Sequence, residues 1–117
     1  MLIGRVAELT GATRKAIRHY ESIGLIPEPE RSGTYRVYNE HDVSVIAMIR
    51  QAQVLGFTLK ELKEIVSIKN KEEKLPVDLA CSLIDEKIFA LKKEVELILL
   101  KEKELQKFKI DLVEKYA

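Results

Sequence analysis

The sequence predicts a mostly α fold: a winged helix-turn-helix domain with a small β wing, followed by a long coiled-coil dimerisation helix. Three observations predict it. A short basic segment, Thr13 to Glu21, places Arg14, Lys15, Arg18 and His19 apart from Ala16, Ile17 and Tyr20 at helical spacing. A loop punctuated by Pro27 and Pro29 then leads through Arg31, Ser32, Gly33 and Thr34 to Tyr35–Tyr38, whose alternation of aromatic, Arg, Val and aromatic reads as a strand. Finally, Val77 to about Lys115 contains no Gly and no Pro, and its apolar residues recur at spacings of 4 and 3. The organisation that follows is a winged helix-turn-helix domain over 1–70, a linker over 71–76 and a coiled-coil helix over 77–117.

Leu2 to Leu9 carries apolar residues at 2, 3, 6, 7 and 9, which suits a short amphipathic helix starting near Gly4. Thr10-Gly11-Ala12 is the tight turn of a helix-turn-helix. Thr13 is placed to cap the next helix through its hydroxyl, and Gly24 to close it. Gly33 supplies the turn geometry of the wing. Asn39 caps the third helix, with Asp42 at its N3 position. Val43, Val45, Ile46, Ile49, Ala52 and Val54 form its apolar stripe through Leu55, and Gly56 breaks it. Phe57 anchors a turn. Thr58 and Glu61, three apart, make a capping box for a helix running from Leu59 to about Ile68, with Leu59, Leu62, Ile65 and Val66 inward. This is a second helix-turn-helix unit. Lys60 lies in its first turn, where it can reach a phosphate together with the helix N-terminus; a plain solvated lysine fits the local sequence equally well.

Asn70–Lys74 is polar and Pro76 stops any continuing helix. In the long segment the heptad d positions are Ile84, Leu91, Ile98, Leu105 and Leu112. The a positions are Cys81, Ile88, Val95, Glu102 and Lys109. A seam kept over about four heptads requires a partner helix, because a helix this long cannot fold back on so small a domain. Ile84, Ile88, Leu91, Val95, Ile98, Leu105 and Leu112 are therefore the expected dimerisation residues. Glu102 and Lys109 either weaken the distal end or fix register by pairing across the dimer.

Composition narrows the function. The 117 residues carry a net charge of only +1, against a strongly basic DNA-coating protein. Yet all six arginines lie within the first 50 residues, and the remainder uses lysine alone. Guanidinium groups fork onto phosphates and guanine edges as ammonium groups do not. There is no leader and no apolar run near the ~18 residues a bilayer demands, so the expected location is cytoplasmic. The lone Cys81 excludes an intrachain disulfide and a zinc site built from several cysteines of one chain. No nucleophile–base set and no phosphate-cradling glycine loop is present, and His41 sits among acids at a helix start, so no catalytic residue, enzyme activity or cofactor is expected.

The run IGRVAELTGATRKAIRHYESIGLI, then GTYRVYNEHDV, then LGFTLKELKEI, then a coiled-coil helix, resembles the MerR family of bacterial transcription regulators. The match is close over about residues 2–68 and architectural beyond. The resemblance implies that Arg18 and His19 reach base edges from the end of the recognition helix, with Thr13, Arg14, Lys15 and Tyr20 in the same contact set. His19 stands where the family often has tyrosine. Arg36 and Tyr38 match the wing residues that clamp the DNA backbone, and Arg31 precedes the wing turn; Tyr20 and Tyr38 also fit as core aromatics. The resemblance further implies an antiparallel coiled-coil homodimer on a pseudo-palindromic promoter site. Such a dimer distorts the DNA so that RNA polymerase can use the promoter.

The sequence departs from the family's metal, redox and drug sensors. Cys81 lies near the start of the long helix but no second thiol follows it, and the sequence ends at Ala117. Either the protein is a regulator without an effector domain, or this is an N-terminal piece of a longer one. No metal site is expected. Metal or thiol sensing through Cys81 is an alternative, as is a coiled-coil adaptor that holds a partner protein. The confinement of arginine to one half argues against the adaptor.

Overall fold

A computed structural model describes residues 1–67 and 76–117. They fall into two compact units, Met1–Pro76 and Val77–Ala117. The first holds α1 (Ile3–Thr10), α2 (Arg14–Ser22), β1 (Glu30–Ser32), β2 (Tyr35–Val37), α3 (Glu40–Val54) and α4 (Leu59–Ser67); the second is α5 (Val77–Tyr116). Ile68, and the expected linker apart from Pro76, lie outside the described residues.

α1 packs against α2 and α3. The joint between α1 and α2 is made by Gly11, whose φ of 76° is left-handed and cheap only for glycine. Thr10 adds to it, its hydroxyl donating to the Val6 carbonyl and accepting from the Ala12 N–H. α2 closes one step before the expected glycine: Ile23 caps it, and Gly24 follows at φ 77° as the left-handed turn residue. Leu25 N–H then bonds back to the Tyr20 carbonyl at 2.9 Å, folding Leu25 and Ile26 into the core.

That core is Val6, Ala12, Ile17, Tyr20, Leu25, Ile26, Tyr38, Ile46 and Ile49. Leu59, Leu62 and Val66 of α4 pack against it, and Ile65 is buried. The expected Asn39 cap closes into a full capping box with Asp42, and the expected Thr58–Glu61 box forms as well. Asn39 Oδ1 accepts the Asp42 N–H while Asp42 accepts the Asn39 N–H. Thr58 and Glu61 do the same at the start of α4.

One expectation needed correction. The apolar stripe of α3 does not stay buried through Leu55: Val54 and Leu55 are 68% and 67% exposed. The core ends with Ile49, and the chain turns at Gly56, φ 108°, before these side chains find cover. The expected small β wing forms as a two-stranded hairpin. Glu30–Ser32 pairs antiparallel with Tyr35–Val37, in register Glu30↔Val37, Arg31↔Arg36, Ser32↔Tyr35. Gly33, at φ 63°, allows the tight reversal between them.

α5 is 40 residues long with no buried residue. The seven expected seam residues are all exposed in the single chain, between 42% for Ile84 and 64% for Ile98. Phe89, Leu97, Leu100 and Phe108, outside the heptad seam, are exposed as well, so the apolar surface is wider than two positions in seven. No described helix is long and apolar enough to cross a membrane.

Candidate nucleic-acid interface

The recognition helix is positioned by its own cap and by two inward side chains. Thr13 is extended, and its hydroxyl accepts the Ala16 N–H at 3.0 Å, so the helix begins at Arg14. Ile17 and Tyr20 are 0% and 1% exposed. They fix the roll of α2 about its axis, which leaves Arg14, Lys15, Arg18 and His19 all exposed. The Arg14 guanidinium folds over α1 beside Gly4; a Cβ there would lie 2.7 Å from Arg14 Nη2.

The wing opposes Arg31 to Arg36 directly, a like-charge pair that destabilises a ladder unless it is neutralised. Each arginine has a carboxylate. Arg31 Nη2 lies 3.6 Å from Glu28 Oε1. Arg36 Nε donates to Glu21 Oε2 at 3.0 Å, which ties β2 to the last turn of α2. The Tyr38 N–H donates to the Met1 carbonyl and the Met1 nitrogen donates to the Tyr38 carbonyl, both at 2.7 Å, anchoring the far end of the wing.

Between the start of α1, the exposed face of α2 and the wing lies an open cleft of about 610 Å³. Arg5, Arg14, Arg18 and Arg36 line it, with Glu8, Gly4, Thr34 and Tyr35. Arg5 is held by Glu8 at 3.1 Å and Arg36 by Glu21. Among the described residues, Arg14 and Arg18 have no hydrogen bond or ion pair. Two unneutralised guanidinium groups on a rigid helix beside a cationic hairpin are what phosphates and base edges require.

The structure thus brings Arg14, Arg18 and Arg36 of the expected contact set to one cleft. Lys15, His19, Arg31 and Lys60 are exposed but do not line it. Thr13 is exposed with its hydroxyl occupied as a cap. Tyr20 and Tyr38 take the core positions that their sequence context also allowed. Both are buried, at 1% and 2% exposure. Tyr20 donates its hydroxyl to Gln53 Oε1 on α3, and its phenol pKa is raised by burial, offset in part by Arg50. Arg36 is half-buried and paired with Glu21. Arg5, Glu8 and Tyr35 escaped sequence reasoning. The confinement of arginine to the first half already pointed to Arg5; Tyr35, 67% exposed, gave no signal beyond its place in an alternating strand.

Comparison with known proteins agrees with this geometry. The family model described as MerR HTH family regulatory protein matches residues 1–68, and the one described as MerR, DNA binding matches 43–108. The chain is 40% identical over 72 residues to the mercuric resistance operon regulatory protein of Bacillus cereus, covering 61% of this chain and 54%, about half, of that protein. It is 36% identical over 97 residues to the HTH-type transcriptional regulator CueR of Escherichia coli O157:H7, covering 82% of this chain and 71% of that one. Among solved structures it is similar to the transcription regulator PbrR691 from Ralstonia metallidurans CH34 in complex with lead(II). The TM-score is 0.67 at 27% identity, covering 93% of this chain and 85% of that one.

Proposed function

This chain belongs to the MerR family of DNA-binding transcription regulators, and from that premise we propose that it binds a pseudo-palindromic promoter site as a homodimer and distorts the DNA to control transcription by RNA polymerase. The observation that carries the proposal is the pair of unneutralised guanidinium groups, Arg14 and Arg18, facing the cleft beside the wing. In this reading α2 enters the major groove, with Arg18 and His19 at base edges. Arg14, Lys15, Arg31, Arg36 and Lys60 serve the phosphates, which position the protein without reading sequence. Homodimerisation runs through the exposed apolar heptads of α5. The antiparallel arrangement is the one the family resemblance implies.

Selection of duplexes from a random pool, followed by binding titrations across salt, tests this. The expected result is an inverted repeat that binds far more tightly than its scrambled sequence, with affinity falling linearly in log salt. No preference for any selected duplex over scrambled DNA would sink it.

A second reading has one observation in its favour. Two relatives are named or described with metals, and Cys81 is exposed near the start of α5. Among the described residues no three His, Cys, Asp or Glu side chains cluster around it. If Cys81 senses a thiol-seeking metal, Cys81→Ser abolishes the metal's effect on promoter output while leaving DNA binding intact. An unchanged metal response in Cys81→Ser ends that reading.

A further inference from the structure

Tyr38 poses a problem that DNA contact by its side chain would not solve. Its hydroxyl is buried and has no hydrogen-bond partner, the single such side-chain atom among the described residues. Buried polar groups without partners are costly, and each calls for a physical explanation. The Tyr38 ring is packed in the core, which shuts its hydroxyl off from water.

The charged groups around the phenol narrow the choice of partner. Burial raises its pKa, Glu21 raises it further, Arg36 and Arg18 lower it, and Asp42 raises it again. Arg36, two residues before Tyr38, brings the Glu21 carboxylate to this end of the wing, and Asp42 lies in the first turn of α3 just after it. Asp42 is committed to the capping box of α3. Glu21, whose side chain is only 11% exposed, is held among the described residues by Arg36. Arg36 in turn lines the cleft with Arg14 and Arg18, where DNA backbone would arrive.

We propose that Glu21 is a two-position acceptor: it holds Arg36 in the DNA-free protein, and it accepts the Tyr38 hydroxyl once a DNA phosphate draws the Arg36 guanidinium away. This rests on the reading of the cleft as the DNA-backbone site. The exchange balances well. A nearly buried carboxylate stripped of its arginine would be left unpaired at high cost. The orphan hydroxyl of Tyr38, two residues along from Arg36, supplies a donor, and a bond to a carboxylate is among the stronger ones. The DNA-free state keeps one unsatisfied group that the DNA-bound state satisfies. Glu21 and Tyr38 are thus positioning residues that act on the phosphate contact through Arg36, at the junction of recognition helix and wing.

The test is a double-mutant cycle with Tyr38→Phe and Glu21→Ala, on the duplex that the wild-type protein selects from a random pool. Thermal melting without DNA is measured alongside. Tyr38→Phe should leave melting unchanged or raise it, and should weaken duplex binding about tenfold, the scale of a bond to a charged group. In the Glu21→Ala background the same substitution should change binding less than about twofold. The inference is overturned if Tyr38→Phe binds as tightly as wild type, if it lowers the melting temperature, or if its effect persists without Glu21. Arg36→Ala separates the two levels. If that variant binds the selected duplex like wild type, the cleft reading and this inference fall together. If it weakens binding while Tyr38→Phe does not, the inference alone fails.

Discussion

Arg18 is the residue on which sequence discrimination should turn. It is exposed, has no partner among the described residues, and projects from a helix whose roll is set by Ile17 and Tyr20. Arg18→Ala should cost about 1–3 kcal/mol of preference for the selected duplex over scrambled DNA. Its melting temperature should scarcely move, because no side-chain hydrogen bond or ion pair among the described residues is lost. Equal preference in the variant would take Arg18 out of base reading. The two buried phenols make a prediction of opposite kind. Their pKa values are raised from 10.0, chiefly by burial. The folded state therefore favours the neutral phenol more than the unfolded chain does. Their contribution is fully present below about pH 10 and is lost as pH rises through the raised folded values. Denaturant midpoints should fall above pH 10, and a flat profile there would contradict the burial of Tyr20 and Tyr38. At this scale the sequence was only partly legible. Arg14 and Arg18 stood out because charge and apolar residues separate at helical spacing. The roles of Tyr20 and Tyr38 did not, since a tyrosine with a polar handle patterns alike in a core and at a phosphate. The Glu21–Arg36 pair is formed by residues 15 apart, and only tertiary folding brings them together.

Among the elements, those with local chemistry were the readable ones. The Asn39–Asp42 and Thr58–Glu61 boxes can be recognised from spacing because both bonds close within one helical turn. Asn39→Ala should lower stability by about 1 kcal/mol, visible as a reduced denaturant midpoint with unchanged slope; an unshifted midpoint would mean that water caps α3 equally well. β1 was not readable as a strand. Glu30-Arg31-Ser32 has neither alternation nor β propensity, and it pairs because Gly33 reverses the chain against Tyr35–Val37. The end of the α3 stripe was misjudged for a similar reason. Periodicity marks Val54 as inward, but nothing local says where the core stops. α5 was legible in full as a helix, because 40 residues without Gly or Pro leave few alternatives.

At the scale of the whole molecule the division of cations matters most. Every arginine lies in Met1–Pro76, and Val77–Ala117 carries lysine alone. One unit is chemically equipped to grip DNA, and the other carries an apolar surface that a partner helix would cover. If α5 joins two such heads, the second half-site is engaged intramolecularly, and the gain comes from effective concentration rather than from new contacts. Replacing Leu91 and Ile98 together by Asp should then yield monomers in sedimentation. Those monomers should bind a full inverted repeat scarcely better than a half-site, with a log–log salt slope about half that of wild type, since each neutralised phosphate contributes about 0.9 to it. Arg36→Ala in the intact dimer removes one phosphate contact per head and should flatten the slope by about 1.8 while leaving preference for the selected sequence in place. Were the Asp variant to remain dimeric, α5 would not be the dimer interface. Were it monomeric with an undiminished slope, a single head would carry all the phosphate contacts, and the pairing of half-sites would have no electrostatic basis.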